Sequence, residues 1–171
     1  MSIATDDVIG RIAGITPGSR ADRARQAKPE LIAGAQAYYE ATVAPEEPGG
    51  LSHEERALIA YRVSLLTPQR ETATFYRERL DALGVDRGLV EAVERFPGGC
   101  GVDDRFTAIM RHVERVTTSP RDAEPRHLRA LEAAGLGPFE IVSLSQLIAF
   151  VSYQARLVAA LRAMESLEVA S

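Results

Sequence analysis

Few side chains in this 171-residue sequence have the chemistry of a nucleophile or a metal ligand. Its one cysteine, Cys100, sits in the run Pro97-Gly98-Gly99-Cys100-Gly101 with no histidine beside it. A thiol attacks peroxides as the thiolate, which needs a neighbouring cation, and Arg95 or Arg105 could serve only if the glycine loop folded back. Cys100 therefore reads first as an incidental thiol and second as the candidate nucleophile of a one-cysteine peroxidase with an external reductant. A single sulfur excludes an internal disulfide framework, a cysteine-rich zinc site and an intrachain dithiol couple. His53, His112 and His127 fall on separate predicted helices without a ligand-type partner one turn away, so no metal site and no cofactor are expected.

The elements that would position such groups follow from composition and punctuation. With 46% hydrophobic and 26% charged residues, the chain is expected to be a soluble globular protein of one domain, its apolar runs falling short of a bilayer span. A net charge of -4 and a pI near 5.5 provide no basic field for a phosphate backbone, and 6% aromatics offers few stacking platforms. Neither nucleic acid nor membrane is expected as a partner. Asp6 and Asp7 stand where a secretory leader would be positive, and no apolar segment follows, so a cytoplasmic location is expected. Lys28 is the only lysine among 20 cationic residues, a codon bias that suggests a GC-rich bacterial genome.

No alternating run of strand-forming residues occurs, and helix signals recur throughout, so the fold class is all-α. A short amphipathic opening from Asp6 to Ala13 and a Thr16-Pro17-Gly18-Ser19 turn precede a helix from Pro29 to Thr42, with Leu31, Ile32, Ala35 and Tyr38 or Tyr39 as its apolar face. The breaker Ala44-Pro45-Glu46-Glu47-Pro48-Gly49-Gly50 separates an N-terminal helical arm, 1–50, from a helical core, 51–171. Ser52 and Glu55 form a capping box that opens a helix to Leu66. Thr67-Pro68 starts another, which ends at Gly84. Helices from Arg87 to Arg95, from the Asp103 cap to Thr117, from Pro125 to Ala134 and from Pro138 to Leu167 complete the core. The last is apolar on nearly every side, which places it at the centre or at a subunit interface, and a homo-oligomer with a dimeric smallest unit is expected.

The run Leu51-Ser52-His53-Glu54-Glu55-Arg56-Ala57-Leu58-Ile59-Ala60-Tyr61-Arg62-Val63, followed by a cap, a polar helix and Leu83-Gly84-Val85-Asp86, resembles the core signature of the carboxymuconolactone decarboxylase and alkylhydroperoxidase D-like superfamily. Leu136-Gly137-Pro138-Phe139-Glu140-Ile141-Val142 and Phe150 to Leu157 are similar to its last long helix, and the likeness covers roughly Leu51 to Met164. The arm resembles a subgroup known simply as CMD-domain proteins. The resemblance implies an alkylhydroperoxidase D-like helical bundle and homo-oligomers, dimers or trimer-based.

Peroxidase members of that superfamily carry Cys-x-x-Cys-x-x-x-His on the second core helix, so that both sulfurs and the imidazole share one face, with an upstream Glu in a proton relay. On this sequence those positions hold Gln69, Thr72 and Tyr76, and the relay position holds Ala57. The decarboxylase pattern, a His at Tyr76 and a carboxylate near Thr72, is missing too. Glu55 suits the capping box better than a displaced relay. An amide and a hydroxyl cannot store two electrons, so dithiol peroxidase chemistry is not expected.

Carried over, the resemblance makes Thr72 and Tyr76 candidate catalytic residues and Gln69 and Arg62 candidate substrate-binding residues, provided that the two helices pack antiparallel. Arg62 would pair with an acid and Tyr76 would donate a hydrogen bond or act as a weak general acid. The alternative is that these residues are ordinary polar core or surface. The implied function is binding or non-redox transformation, lyase-, decarboxylase- or isomerase-like, of a small organic acid, lactone or peroxide-derived metabolite. The second reading is a catalytically silent oligomeric partner of an active alkylhydroperoxidase-like relative.

Overall fold

The computed structural model describes residues 7–98 and 103–169, and among them no strand occurs. Among the described residues nine α-helices follow one another: α1 (Val8–Ala13), α2 (Arg20–Gln26), α3 (Pro29–Thr42), α4 (His53–Leu66), α5 (Arg70–Ala82), α6 (Arg87–Arg95), α7 (Asp104–Thr118), α8 (Pro125–Ala133) and α9 (Pro138–Val169), with a short 3-10 turn, Pro120–Asp122, between α7 and α8.

Helix α4 is the element the others surround. The Ser52 hydroxyl accepts the Glu55 amide hydrogen at 3.1 Å and the Glu55 carboxylate accepts that of Ser52 at 2.8 Å, so the capping box forms as its spacing predicts. Every residue from Arg56 to Ser64 is buried, which abolishes the usual apolar stripe, because a helix enclosed by α5, α6, α7 and α9 has no wet side. The local signals elsewhere act as expected: Asp103 caps α7, and Gly84 and Gly135 end α5 and α8 at φ +70° and +87°, where a side chain would be strained.

Three expectations need correction. Helix α2 is missing from the sequence reading: Ser19 caps it by accepting the Asp22 amide, yet only Ala21 is buried, so no apolar periodicity announces it. Helix α5 begins at Arg70 rather than at Thr67-Pro68. A residue before proline is held in the extended region, and Thr67 (φ -105°, ψ 142°) closes α4 instead, donating its hydroxyl hydrogen to the Ser64 carbonyl. On α3, Ala35 and Tyr39 face inward, whereas Leu31 is 65% exposed.

Helix α9 is long and apolar enough to cross a membrane by length and composition, with a mean hydropathy of 1.3 over an 18-residue stretch within Pro138–Leu167, contrary to the expectation that no run approaches such a span. Within this protein it is a core helix. Leu144, Leu147, Ile148, Phe150, Val151, Val158 and Leu161 are buried, and α1, α2, α3, α4, α5, α7 and α8 all touch it. The arm supplies much of that cover: Val8, Ile9, Ile12, Ala21, Tyr39 and Val43 join one hydrophobic cluster with the residues of α4 and α9.

Polar fastenings hold the arm in place. Asp7 caps α1 and forms an ion pair with Arg25 of α2, both side chains nearly buried. Glu165, near the end of α9, accepts hydrogen bonds from the Thr16 amide and the Ser19 hydroxyl. The strongest fastening is Arg56, buried on α4 and donating to the carbonyls of Leu51 (3.0 Å), Thr42 (2.8 Å) and Pro48 (2.8 Å). Burial pulls its pKa below the ordinary arginine value, opposed by Glu55. Arg56→Met removes the charge and its donors, and should lower unfolding free energy by roughly 2 to 5 kcal/mol, read from urea denaturation at unchanged helicity. A loss under about 1 kcal/mol would show that the arm is held by other contacts.

Candidate functional site

The inward face of α5 carries Thr72, Tyr76 and Leu80, all buried. Tyr76 donates its hydroxyl hydrogen to Oε1 of Gln154 on α9 at 2.7 Å, and its ring meets Phe75 edge-on at 5.2 Å. Burial above all, with Tyr39 adding to it against Arg79 and the Gln154 hydrogen bond, pushes the Tyr76 pKa well above the ordinary tyrosine value. The Thr72 hydroxyl and the Gln154 Nε2 are buried without a hydrogen-bond partner. Thr72 and Tyr76 thus come together, as their spacing implies, in a polar island sealed between α5 and α9. Neither side chain reaches solvent, and a phenol held this firmly neutral is poorly matched to proton transfer near pH 7.

The other two candidates lie elsewhere. Gln69 is the residue before the first turn of α5, so it does not share the Thr72–Tyr76 face, and its amide bonds to Glu71. Arg62 turns toward α6 and α7. Its Nε donates to Glu114 at 2.6 Å, Nη1 to the carbonyls of Val93 (2.9 Å) and Glu94 (3.3 Å), and Nη2 to the Phe96 carbonyl (2.8 Å) and to Glu114. Every N–H of the guanidinium is satisfied within the protein, which leaves no donor for an acid. Ala57, the relay position, is buried, and Glu55 is held by the capping box and by Arg105 of α7. Cys100 lies outside the described residues.

The opposite side of α5 forms a concavity that sequence reasoning missed. A space of about 650 Å³ opens between α1, α3 and α5, with Arg11, Tyr39, Arg70, Phe75 and Arg79 in its wall. The Arg11 guanidinium lies 5.3 Å from the Phe75 ring centre, a cation–π distance. Arg79 donates from Nη1 to the Tyr39 hydroxyl at 3.2 Å, while its Nε is buried with no partner. Glu71 and Glu78 also line the space, and Glu71 is neutralised by Arg162 at 2.7 Å. Burial raises the Tyr39 pKa, and Arg79 and Arg11 oppose that rise, so the positive field of both guanidinia reaches the phenol. The floor is aromatic and the rim cationic, a combination suited to an organic carboxylate. Its only trace in the sequence is Phe75, a large apolar residue between the charges of Arg70 and Arg79; the Arg11 contribution comes from another helix and has none.

No protein-family model matches this sequence, and no curated protein is significantly similar to it. Solved structures are similar in shape. One is described as an alkylhydroperoxidase AhpD core, an uncharacterized peroxidase-related protein from Ralstonia eutropha JMP134, with a TM-score of 0.70 at 16% identity over 89% of this chain and 78% of that one. Another is an uncharacterized peroxidase-related protein from Silicibacter sp. TM1040, with a TM-score of 0.72 at 19% identity over 91% of this chain and 79% of that one. At such identities the likeness concerns architecture: this chain has the all-helical fold of the alkylhydroperoxidase AhpD core, as the resemblance of Leu51 to Met164 implies.

Proposed function

We propose that this protein is a member of the carboxymuconolactone decarboxylase and alkylhydroperoxidase D-like superfamily that binds a small organic acid or related metabolite without dithiol chemistry, in the bacterial cytoplasm. The observation that carries this reading is the concavity beside α5, where Arg79 has a buried Nε without an acceptor and Arg11 stacks on Phe75. A carboxylate entering there would accept from Arg79 and Arg11, and its organic body would lie on Phe75 and Tyr39. The binding role assigned from sequence to Arg62 and Gln69 passes to these residues. Calorimetry against a panel of small aliphatic and aromatic carboxylates tests it. Arg79→Gln should weaken the tightest binder at least about tenfold; equal binding to wild type and variant would refute the site.

The same reading implies an absence of thiol peroxidase turnover, since Gln69, before the first turn of α5, and the sealed Thr72 carry no thiol. Hydroperoxide consumption with a dithiol reductant should match that of Cys100→Ser. Rapid turnover abolished by that substitution would establish the one-cysteine alternative instead.

A second role, a silent oligomeric subunit, is favoured by one feature of α9. Phe139, Val142 and Tyr153 are 67%, 56% and 44% exposed along one side of the helix, with the small Ala149 between the last two, a surface suited to a second copy or to an alkylhydroperoxidase-like relative. Light scattering after size exclusion should give a dimer or larger species, which Val142→Asp reduces to monomer. A monomeric wild type at tens of micromolar would remove this reading.

A further inference from the structure

His112 of α7 is 7% exposed, and neither ring nitrogen has a hydrogen-bond partner. A neutral imidazole has one donor and one acceptor, and burying both unpaired is costly. Beside the ring is a cavity of about 120 Å³, walled by Ala108, Arg111, His112 and Arg115 of α7 and by His127 and Ala130 of α8. No carboxylate belongs to that wall. Among the described residues neither Arg111 nor Arg115 has an ion-pair partner, although nearby acids exist: Glu114, held by Arg62, and Asp122 line an adjoining groove with both arginines, and Glu124 is held by Arg126 at 3.0 Å. Across the cavity, both nitrogens of His127 are engaged, Nδ1 by the Glu124 amide at 3.0 Å and Nε2 by Arg126 at 3.3 Å, whereas those of His112 are not.

The spacing explains the grouping. Arg111 and Arg115 are one helical turn apart, and His112 is adjacent to the first, so one flank of α7 presents two guanidinia around an imidazole. Burial lowers the His112 pKa, and His127 and Arg115 lower it further. Water could occupy the space and satisfy a ring nitrogen, and the exposed Arg111 keeps its own hydration, but water brings no counter-charge to the half-buried Arg115. An oxyanion answers all three groups at once, because its oxygens accept from the arginine forks and from the imidazole N–H.

We propose that the α7–α8 cavity binds one small phosphate-type oxyanion, free or as the terminal group of a small phosphorylated molecule, through His112, Arg111 and Arg115. The site is separate from the concavity beside α5 and does not depend on it.

The test is titration of the full-length protein with inorganic phosphate, and in a second arm with glycerol phosphate, at constant ionic strength set by chloride. Saturable stabilisation in thermal unfolding is expected, together with a shift of the His112 imidazole resonances. Arg115→Gln, at a half-buried position, should weaken the response at least tenfold, and His112→Phe should abolish it. Arg79→Gln, which alters only the other concavity, should keep it. A response to both compounds identifies free phosphate as sufficient, and a response to glycerol phosphate alone identifies a phosphorylated metabolite. Either supports the site. No saturable response to either compound, or a response unchanged in both Arg115→Gln and His112→Phe, overturns it.

Discussion

A guanidinium enclosed in protein needs an acceptor for every N–H, and α4 encloses two of them. Arg56 and Arg62 are both buried, and both solve the problem in the same way: they turn to backbone carbonyls at the end of another helix. Arg56 takes the Thr42 carbonyl at the end of α3, and Arg62 takes those of Val93, Glu94 and Phe96 where α6 stops. Those carbonyls lie at the negative end of the helix dipole, where the last turn leaves acceptors over, although that of Val93 also takes the Phe96 amide hydrogen. One interaction therefore satisfies buried charge and frayed backbone together. It fixes the arm on one side of α4 and α6 on the other, and Glu114 brings α7 into the same arrangement. Tyr61 extends the network by donating to Glu94 at 2.8 Å, which also accepts from Arg77 of α5 at 3.0 Å.

Helix α5 then divides two environments. Its inner face is dry, and Thr72, Tyr76 and Gln154 keep a polar character with almost no exchange with water. Its outer face meets α1 and α3 and stays open, with arginines over aromatic rings. Thr72 and Tyr76 are sealed on the inner face, where the phenol is fixed to Gln154, and the exposed cations Arg11 and Arg70 stand on the outer one.

What could be read from sequence was what local chemistry decides. Ser52 with Glu55, Asp103, Gly84 and Gly135 each set a helix end within a few residues, and their effect does not depend on distant partners. Arg62 was misread because backbone carbonyls leave no mark in a sequence, and its acceptors lie more than 30 residues away. Gln69 was misplaced because Pro68 shifts the start of α5, which moves one residue off a face of three. Helix α2 was invisible because its cohesion is polar. The α9 burial pattern was ambiguous for a different reason: a helix apolar all round fits a core and an interface equally well.

The pairing of Glu165 with Thr16 and Ser19 bridges a sequence separation of up to 149 residues, nearly the whole chain. On the ribosome, α9 emerges after the other described helices, so Val8, Ile9 and Ile12 can meet mainly α3 and α5 until it does. Closing so long a loop carries a large entropic cost that the earlier helices can reduce by packing around α4 first. The arm thus precedes α9 in synthesis but completes its seating only on α9, and in the interval part of its apolar surface is available to chaperones or to a neighbouring nascent chain.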